Sequence, residues 1–335
     1  MEHDYIKDKI LLNYGIEVKE VIKVKNTYKI ITSDEEYCLK VIKYQYPHFY
    51  FIVSAQKHLI KNGFNSIPKI LDTIDGKDYI KLGDKLAYLT PWVKCRECDY
   101  KNKLDLSLAA EKLSELHNSS EGFVINRDLK PRIAWGKWYK IFETRGEEII
   151  DFKKRIYQKA YMSDFDKLYL SIMDEELKRV ERTLSHIKTS GYFDYMKKEV
   201  KKLGFCHHDY ANHNVLLLEN NEINIIDFDY CILDSHLHDL SSICIRTMKE
   251  GRWDLNLFKY IIESYSKNKE VRNEDFPIMA SFIEFPQAYW QLGLQYYWEQ
   301  QPWEEEHFLK KLGKYEKDRE FRQNFVDELS NFTLR

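Results

Sequence analysis

The stretch Leu203–Leu240, LGFCHHDYANHNVLLLENNEINIIDFDYCILDSHLHDL, decides how this chain is read. It opens on a loop carrying His207, Asp209 and Asn214, continues through two apolar runs, Val215–Leu218 and Ile223–Ile226, and ends on a second acidic loop. The two runs have the length of strands. The Asn pair in Glu219-Asn220-Asn221-Glu222 between them tolerates the positive φ of a tight hairpin. A hairpin brings its two ends together. Asn214 before one strand and Asp227 after the other must then lie side by side, with Asp209 a few residues upstream in the same cleft.

Three oxygen-bearing side chains around one point suit phosphoryl transfer from a nucleotide. That chemistry needs a carboxylate to take the hydroxyl proton of the acceptor, here Asp209. It also needs an amide and a second carboxylate, here Asn214 and Asp227, to hold magnesium on the phosphates. The order His-x-Asp-x-x-x-x-Asn followed by Asp-Phe is the kinase catalytic set. The plainer alternative is that His207 and Asp209 cap a turn and Asp227 ends a strand. The hairpin spacing and the place of Asp227 favour the chemical reading.

The loop resembles that of the aminoglycoside phosphotransferase and choline kinase superfamily, whose usual form is His-Gly-Asp-x-x-x-x-Asn with Ile-Asp-Phe/Trp-Asp. Within it, Cys206-His207-His208-Asp209-Tyr210, Ile226-Asp227-Phe228-Asp229, Phe285-Pro286 and Tyr296-Tyr297 are similar to the CotS-type bacterial spore-coat proteins, over about Tyr5 to Phe325. The resemblance implies an α+β, two-lobed protein-kinase-like fold. A small antiparallel-sheet lobe would take residues 1–91 and a larger, mainly helical lobe residues 92–335. It further implies ATP and Mg2+ as cofactors, an unidentified small-molecule acceptor, other spore-coat proteins as partners, and a place in the spore coat. Asp239 resembles the family's Asp-Leu position, an acidic group that braces the catalytic loop beside His207.

Ahead of the central stretch, Tyr5–Asn13 has helical spacing that stops at Gly15, and Val18–Val24, Tyr28–Thr32 and Tyr37–Ile42 read as strands. In the third, Lys40 stands among apolar residues and resembles the kinase lysine that meets nucleotide phosphates, with Lys43 as its rival. His48–Asn62 is the next helix, closed by Gly63. In active kinases it supplies a glutamate to the strand lysine, yet no Glu occurs from Val41 to Asp84, and Ile52 stands near the expected place. Val24-Lys25-Asn26-Thr27 likewise replaces the Gly-rich phosphate turn. Ile67–Ile74, Tyr79–Leu82 and Leu86–Leu89 read as further strands. Thr90-Pro91-Trp92-Val93 resembles the hinge between kinase lobes, with the backbone of Trp92 and Val93 facing adenine; an ordinary interdomain linker reads the same.

Beyond the hinge the pattern is helical: Leu104–His117, two or three helices within 133–201, one from His238 to Met248, and four more to Leu329. The 133–201 insertion matches the part of the superfamily that helps form the acceptor pocket. Trp135, Trp138 and Tyr139 there suit either a substrate face or core packing, and His117 reads as a buried structural histidine.

Composition agrees with a globular domain pair. A net charge of −2 gives no general electrostatic reason to bind nucleic acid, and basic runs such as Lys153-Lys154-Arg155 read as solvated helix faces. The start Met1-Glu2-His3-Asp4 carries no basic-then-apolar signal, and no apolar run approaches the ~20 residues of a membrane span. Synthesis in the cytoplasm and no membrane association are the expectation. Six cysteines are too sparse for a secreted disulfide scaffold, and Cys95-Arg96-Glu97-Cys98 lacks the second CxxC of a zinc site.

Overall fold

The computed structural model describes residues 2–334. The first part runs α1 (Glu2–Tyr14), β1 (Glu20–Val24), β2 (Thr27–Ile31), β3 (Glu36–Ile42), α2 (Tyr46–Lys61), β4 (Ile80–Leu82) and β5 (Lys85–Pro91). The strands form one antiparallel sheet in the order β1-β2-β3-β5-β4. Lys25 takes φ 52° in the two-residue turn between β1 and β2, so this hairpin closes without the glycine that usually relieves such a backbone. Alternation divides the sheet into two faces. Val21, Ile30, Leu39, Ala87 and Leu89 bury one face against Ile6 and Ile10 of α1. Pairing of Lys29 with Cys38 and of Lys40 with Tyr88 puts these four on the opposite face.

α2 belongs to two cores at once. Phe49 and Val53 pack with Ile42, Leu86 and Tyr88 of the sheet. Phe51, Ile52, Ala55 and Leu59 join Leu106, Ala110 and Leu113 in the core of the second lobe. Polar bonds reinforce this: His58 Nε2 lies 2.9 Å from the carbonyl of Glu121, and Asn62 Nδ2 donates to Ser119 O at 2.8 Å.

The strand expected over Ile67–Ile74 does not form. The segment runs extended beside the sheet, with Leu71 N bonded to Leu89 O at 2.9 Å. Pro68 has no amide to give a ladder, which suits an irregular path.

The second part continues with β6 (Arg96–Glu97), α3 (Lys103–Ser120), α4 (Trp138–Tyr157), α5 (Asp164–Thr189), α6 (Tyr192–Glu199), β7 (Val215–Leu217) and β8 (Ile223–Ile225). It closes with α7 (Leu237–Met248), α8 (Leu255–Tyr265), α9 (Asp275–Glu284), α10 (Gln287–Gly293) and α11 (Glu305–Leu329). Local signals set several ends. Asn102 caps α3 by accepting from Leu104 N and Asp105 N, and Ser163 with Asp166 forms a reciprocal capping box on α5. Strands β6, β7 and β8 make a second small sheet. Cys95 and Cys98 flank β6, one exposed and one buried, and both are free thiols.

Trp138 is a core residue: its ring is buried, stacks on Tyr192 at 4.9 Å, and gives its indole N–H to Asp234 at 2.8 Å. A small antiparallel sheet lobe and a larger helical lobe are therefore what the chain builds. Among the described residues, no helix is long and apolar enough to cross a membrane.

Candidate active site

The β7–β8 hairpin sets the geometry of the cleft. Val215 pairs with Ile225 and Leu217 with Ile223, and Asn221 takes φ 62° in the turn. The next rung is Ile226 N to Asn214 O, 3.0 Å. Asn214 and the residue before Asp227 are thus bonded directly, at the end of the hairpin that faces the first sheet.

The loop Cys206–Asp209 is strapped from two sides. Asp239, fully buried on α7, accepts from His207 N at 2.7 Å and from His208 N at 2.8 Å. His207 Nε2 donates to Ile226 O at 2.9 Å, which leaves Nδ1 to accept from Asp209 N at 3.3 Å. His208 sits at φ 69°, a left-handed conformation that costs a β-carbon residue about 1 kcal/mol or more. Asp227 has the same φ. Two left-handed non-glycine residues beside one cleft are backbone strain concentrated where a function would use it.

Asp209 lies between two partners. Asn214 Nδ2 donates to Asp209 Oδ2 at 3.1 Å and to its backbone carbonyl at 2.9 Å. Arg246, on α7, holds Asp209 Oδ1 at 2.7 Å. Across the cleft, Lys40 Nζ is 2.7 Å from Asp227 Oδ1 and 2.7 Å from Asp229 Oδ1, and only the Asp227 contact has hydrogen-bond geometry.

Lys40 thus points into the cleft and finds two carboxylates from the other lobe, while Lys43 is exposed. Ile52, near the expected glutamate, is wholly buried apolar packing, and the α2 side chain that interacts with the Tyr88 hydroxyl is Gln56.

Titration follows from this packing. Burial opposes the charge on Lys40, but Tyr88, Asp229 and Asp227 hold its pKa above the ordinary lysine value. Burial also opposes the Asp227 carboxylate, which Lys40 and His207 nevertheless bring below the usual range. Asp229 goes the other way: burial raises it, and the neighbouring Asp227 adds to the rise. The pair therefore divides into one firmly ionised and one more easily protonated carboxylate.

At the hinge, the Trp92 amide donates to Glu36 O at 2.9 Å, continuing the β5–β3 ladder, so that one group of the expected adenine-facing backbone is taken up by the sheet. The amide of Val93 has no acceptor among the described residues. Lys29 stands 5.2 Å over the Trp92 ring and pairs with Glu36 at 2.8 Å, which puts a charged lysine on the cleft-side face next to Cys38.

Three side chains of this region were not singled out by sequence reasoning: Arg246, Lys29 and Gln56. Arg246 carried a usable signal, because it follows Asp239 by seven residues and so lies two turns along the same helix face.

The buried histidines predict acid lability. His117, His207 and His236 are buried, and burial lowers each below the ordinary 6.5, His236 to about 4. The unfolded chain takes up protons at these positions near pH 6.5, where the folded chain does not. Their contribution to stability is full above about pH 6.5 and declines as pH falls toward about 4. Unfolding by urea should show a loss on the order of 2–4 kcal/mol between pH 7.5 and pH 4.5. Equal stability at the two pH values would contradict the neutral, buried state of these rings.

The family described as "Spore coat putative kinase YutH" matches residues 7–329. The chain belongs to this family. The "Spore coat protein S" of Bacillus subtilis strain 168 is 23% identical over 342 aligned positions, covering 98% of this chain and 95% of that protein.

Among solved structures, an aminoglycoside phosphotransferase from Alicyclobacillus acidocaldarius superposes with a TM-score of 0.82 at 20% identity, covering 95% of this chain and 93% of that one. The spectinomycin phosphotransferase APH(9)-Ia, solved with ADP and spectinomycin, gives 0.63 at 17% identity, covering 99% of each. These likenesses establish the kinase-like fold for this spore-coat family member.

Proposed function

We propose that this chain is an ATP-dependent phosphotransferase acting on the hydroxyl of a small molecule, in or on the spore coat, where other coat proteins are its partners. The observation that carries this reading is the connected group Lys40, Asp227, Asn214 and Asp209, held at one cleft between a sheet and the β7–β8 hairpin. Asp209 is the proposed base, Asn214 and Asp227 the proposed magnesium ligands, and Lys40 the proposed phosphate contact. His207 and Asp239 hold the loop. The Val93 amide and the Trp92 carbonyl are the proposed adenine contacts.

Magnesium fits the donor set. Donation of Nδ2 to Asp209 leaves Asn214 Oδ1 as an acceptor, Asp227 is ionised, and Asp229 Oδ1 is buried without a hydrogen bond, all of them hard oxygens of the kind magnesium takes. Magnesium bound with the nucleotide would supply charge neutralisation on the phosphates. The chain's own part is to orient the acceptor hydroxyl, with Asp209 taking its proton, and to offer Lys40 to phosphate in exchange for its carboxylate partners.

A second reading, a coat protein that keeps the fold without catalysis, has its own support. Each acidic group of the cleft already has a cation on it, Arg246 on Asp209 and Lys40 on Asp227 and Asp229. The β1–β2 turn has no glycine, and no helix glutamate reaches Lys40.

Thermal unfolding with and without magnesium-ATP separates the two. Nucleotide at ~100 times its dissociation constant should stabilise the fold by about 2.7 kcal/mol. Lys40→Ala should reduce that shift. A wild-type protein whose midpoint does not respond to millimolar magnesium-ATP would favour the non-catalytic reading.

A further inference from the structure

The surroundings of Asp209 on the helical side are rich in guanidinium groups. Arg246 of α7 is bonded to Asp209 itself at 2.7 Å. Arg145 of α4 lies 4.3 Å from the centroid of the Trp290 ring and donates to Gln287 Oε1 at 2.7 Å. Arg132 lies between the rings of Tyr44 and Tyr230, at 5.3 and 5.4 Å, and donates to Tyr44 OH at 3.1 Å.

Neither Arg145 nor Arg132 has a carboxylate within ion-pair distance among the described residues. Glu148, one turn from Arg145, takes the indole N–H of Trp290 instead. Arg132 stands 5.4 Å from the ring of Tyr230, the residue that follows Asp229, and both arginines are near enough to His208, the residue next to Asp209, to oppose its protonation. They therefore belong to the neighbourhood of the proposed base. Burial lowers Arg145 to about 10, which still leaves it charged at neutral pH.

A half-buried arginine pinned on an aromatic face and free of any direct ion pair is a preorganised anion receptor; Glu148 attracts Arg145 only from beyond ion-pair distance. The planar fork meets a carboxylate or a phosphate with two hydrogen bonds, and stacking fixes the fork before the ligand arrives. A cationic amino-sugar or amino-alcohol in the same place would meet like charges.

We propose that the acceptor is an anionic hydroxyl compound, a small polyol bearing a carboxylate or a phosphate, whose anionic group is held by Arg145 and Arg132. This rests on the phosphotransferase reading. In the transfer, the acceptor hydroxyl oxygen bonds to the γ-phosphorus of ATP while the bond from that phosphorus to the bridging oxygen breaks. The hydroxyl proton goes to Asp209, and ADP leaves with the bridging oxygen. Arg246 is a positioning residue at the junction, since it grips the base.

The test uses the full chain with sn-glycerol 3-phosphate, gluconate, ethanolamine and kanamycin as probes. Binding is read by calorimetry without nucleotide, and initial rates are read with magnesium-ATP. The anionic probes should bind and accept phosphate in preference to the cationic ones. Preference between glycerol 3-phosphate and gluconate tells phosphate from carboxylate.

Arg145→Gln and Arg132→Gln should each weaken the anionic probe ~10- to 100-fold in Kd and KM, with kcat and nucleotide affinity within about twofold. Arg145→Lys, which keeps the charge and loses the fork, should fall between, and thermal midpoints confirm that each variant folds. Turnover of ethanolamine or kanamycin in preference to the anions overturns the proposal. So does anion affinity unchanged in Arg145→Gln and Arg132→Gln, or no binding of either anion at about 10 mM, tenfold above the usual range of KM. Because the calorimetric arm needs no nucleotide, loss of the phosphotransferase reading shows separately, as absent nucleotide binding in the wild type.

Discussion

Asp209→Ala is expected to lower phosphotransfer turnover by ~10²- to 10³-fold while leaving nucleotide affinity nearly unchanged. The reason lies in what the side chain touches. Its two oxygens face Asn214 and Arg246, while Lys40, the proposed phosphate contact, engages Asp227 and Asp229 on the other side of the cleft. Removing the carboxylate takes away the proton acceptor without touching Lys40 or Asp227.

It also frees Arg246, which is a third exposed. The loss should therefore show in kcat, with any change in KM small. Asp209→Asn, which keeps shape and loses basicity, should be nearly as slow. Equal, negligible turnover in wild type and variant across neutral, cationic and anionic acceptors would leave the coat-protein reading standing.

The largest expected effect on stability is at Asp239. Its carboxylate is fully buried and accepts two backbone amides, one from the left-handed His208, while His117 Nε2 lies 3.2 Å away. Burial alone would raise its pKa, yet the hydrogen bond from His117 and the attraction of the imidazoles around it, once protonated in acid, bring it well below the usual carboxylate range. Asp239→Ala orphans both amides of a strained loop and should cost about 3–5 kcal/mol. In a chain of this size that corresponds to a midpoint lower by about 4–7 °C by calorimetry or circular dichroism. Asp239→Asn retains one acceptor oxygen and should lose less. A midpoint within about 1 °C of wild type in Asp239→Ala would show that the loop is held by something other than this carboxylate.

The two effects belong to one device. The loop geometry at His208 is unfavourable by itself, and a buried anion on α7 makes it the stable one. Two turns further along the same helix, Arg246 reaches the side chain that the loop presents. One helix therefore shapes the proposed base and sets its charge environment.

Much of this was legible before any coordinates. The hairpin spacing around Asn220-Asn221 placed Asn214 beside Asp227, because a strand's period and a tight turn leave few alternatives. Lys40 was legible from its apolar neighbours in a strand, and the helical lobe from its 3.6-residue spacing. The strand over Ile67–Ile74 was misread because apolar composition does not reveal whether a partner edge is available, and there the chain supplies one bond to β5.

What the sequence by itself determined is local: which segments are helix or strand, which side chains share a face, and that three oxygen-bearing residues meet at a hairpin's end. Those follow from backbone periodicity and turn chemistry, which act over a few residues. The tertiary structure alone decided the partners. It put Lys40 on Asp227 and Asp229, 187 positions away in the case of Asp227, and Arg246 on Asp209. It turned the Trp92 amide to Glu36 and left Arg145 and Arg132 without direct ion pairs among the described residues. Charge pairing depends on distances between segments remote in sequence, and those are fixed by how α2, α3 and α7 pack into one core.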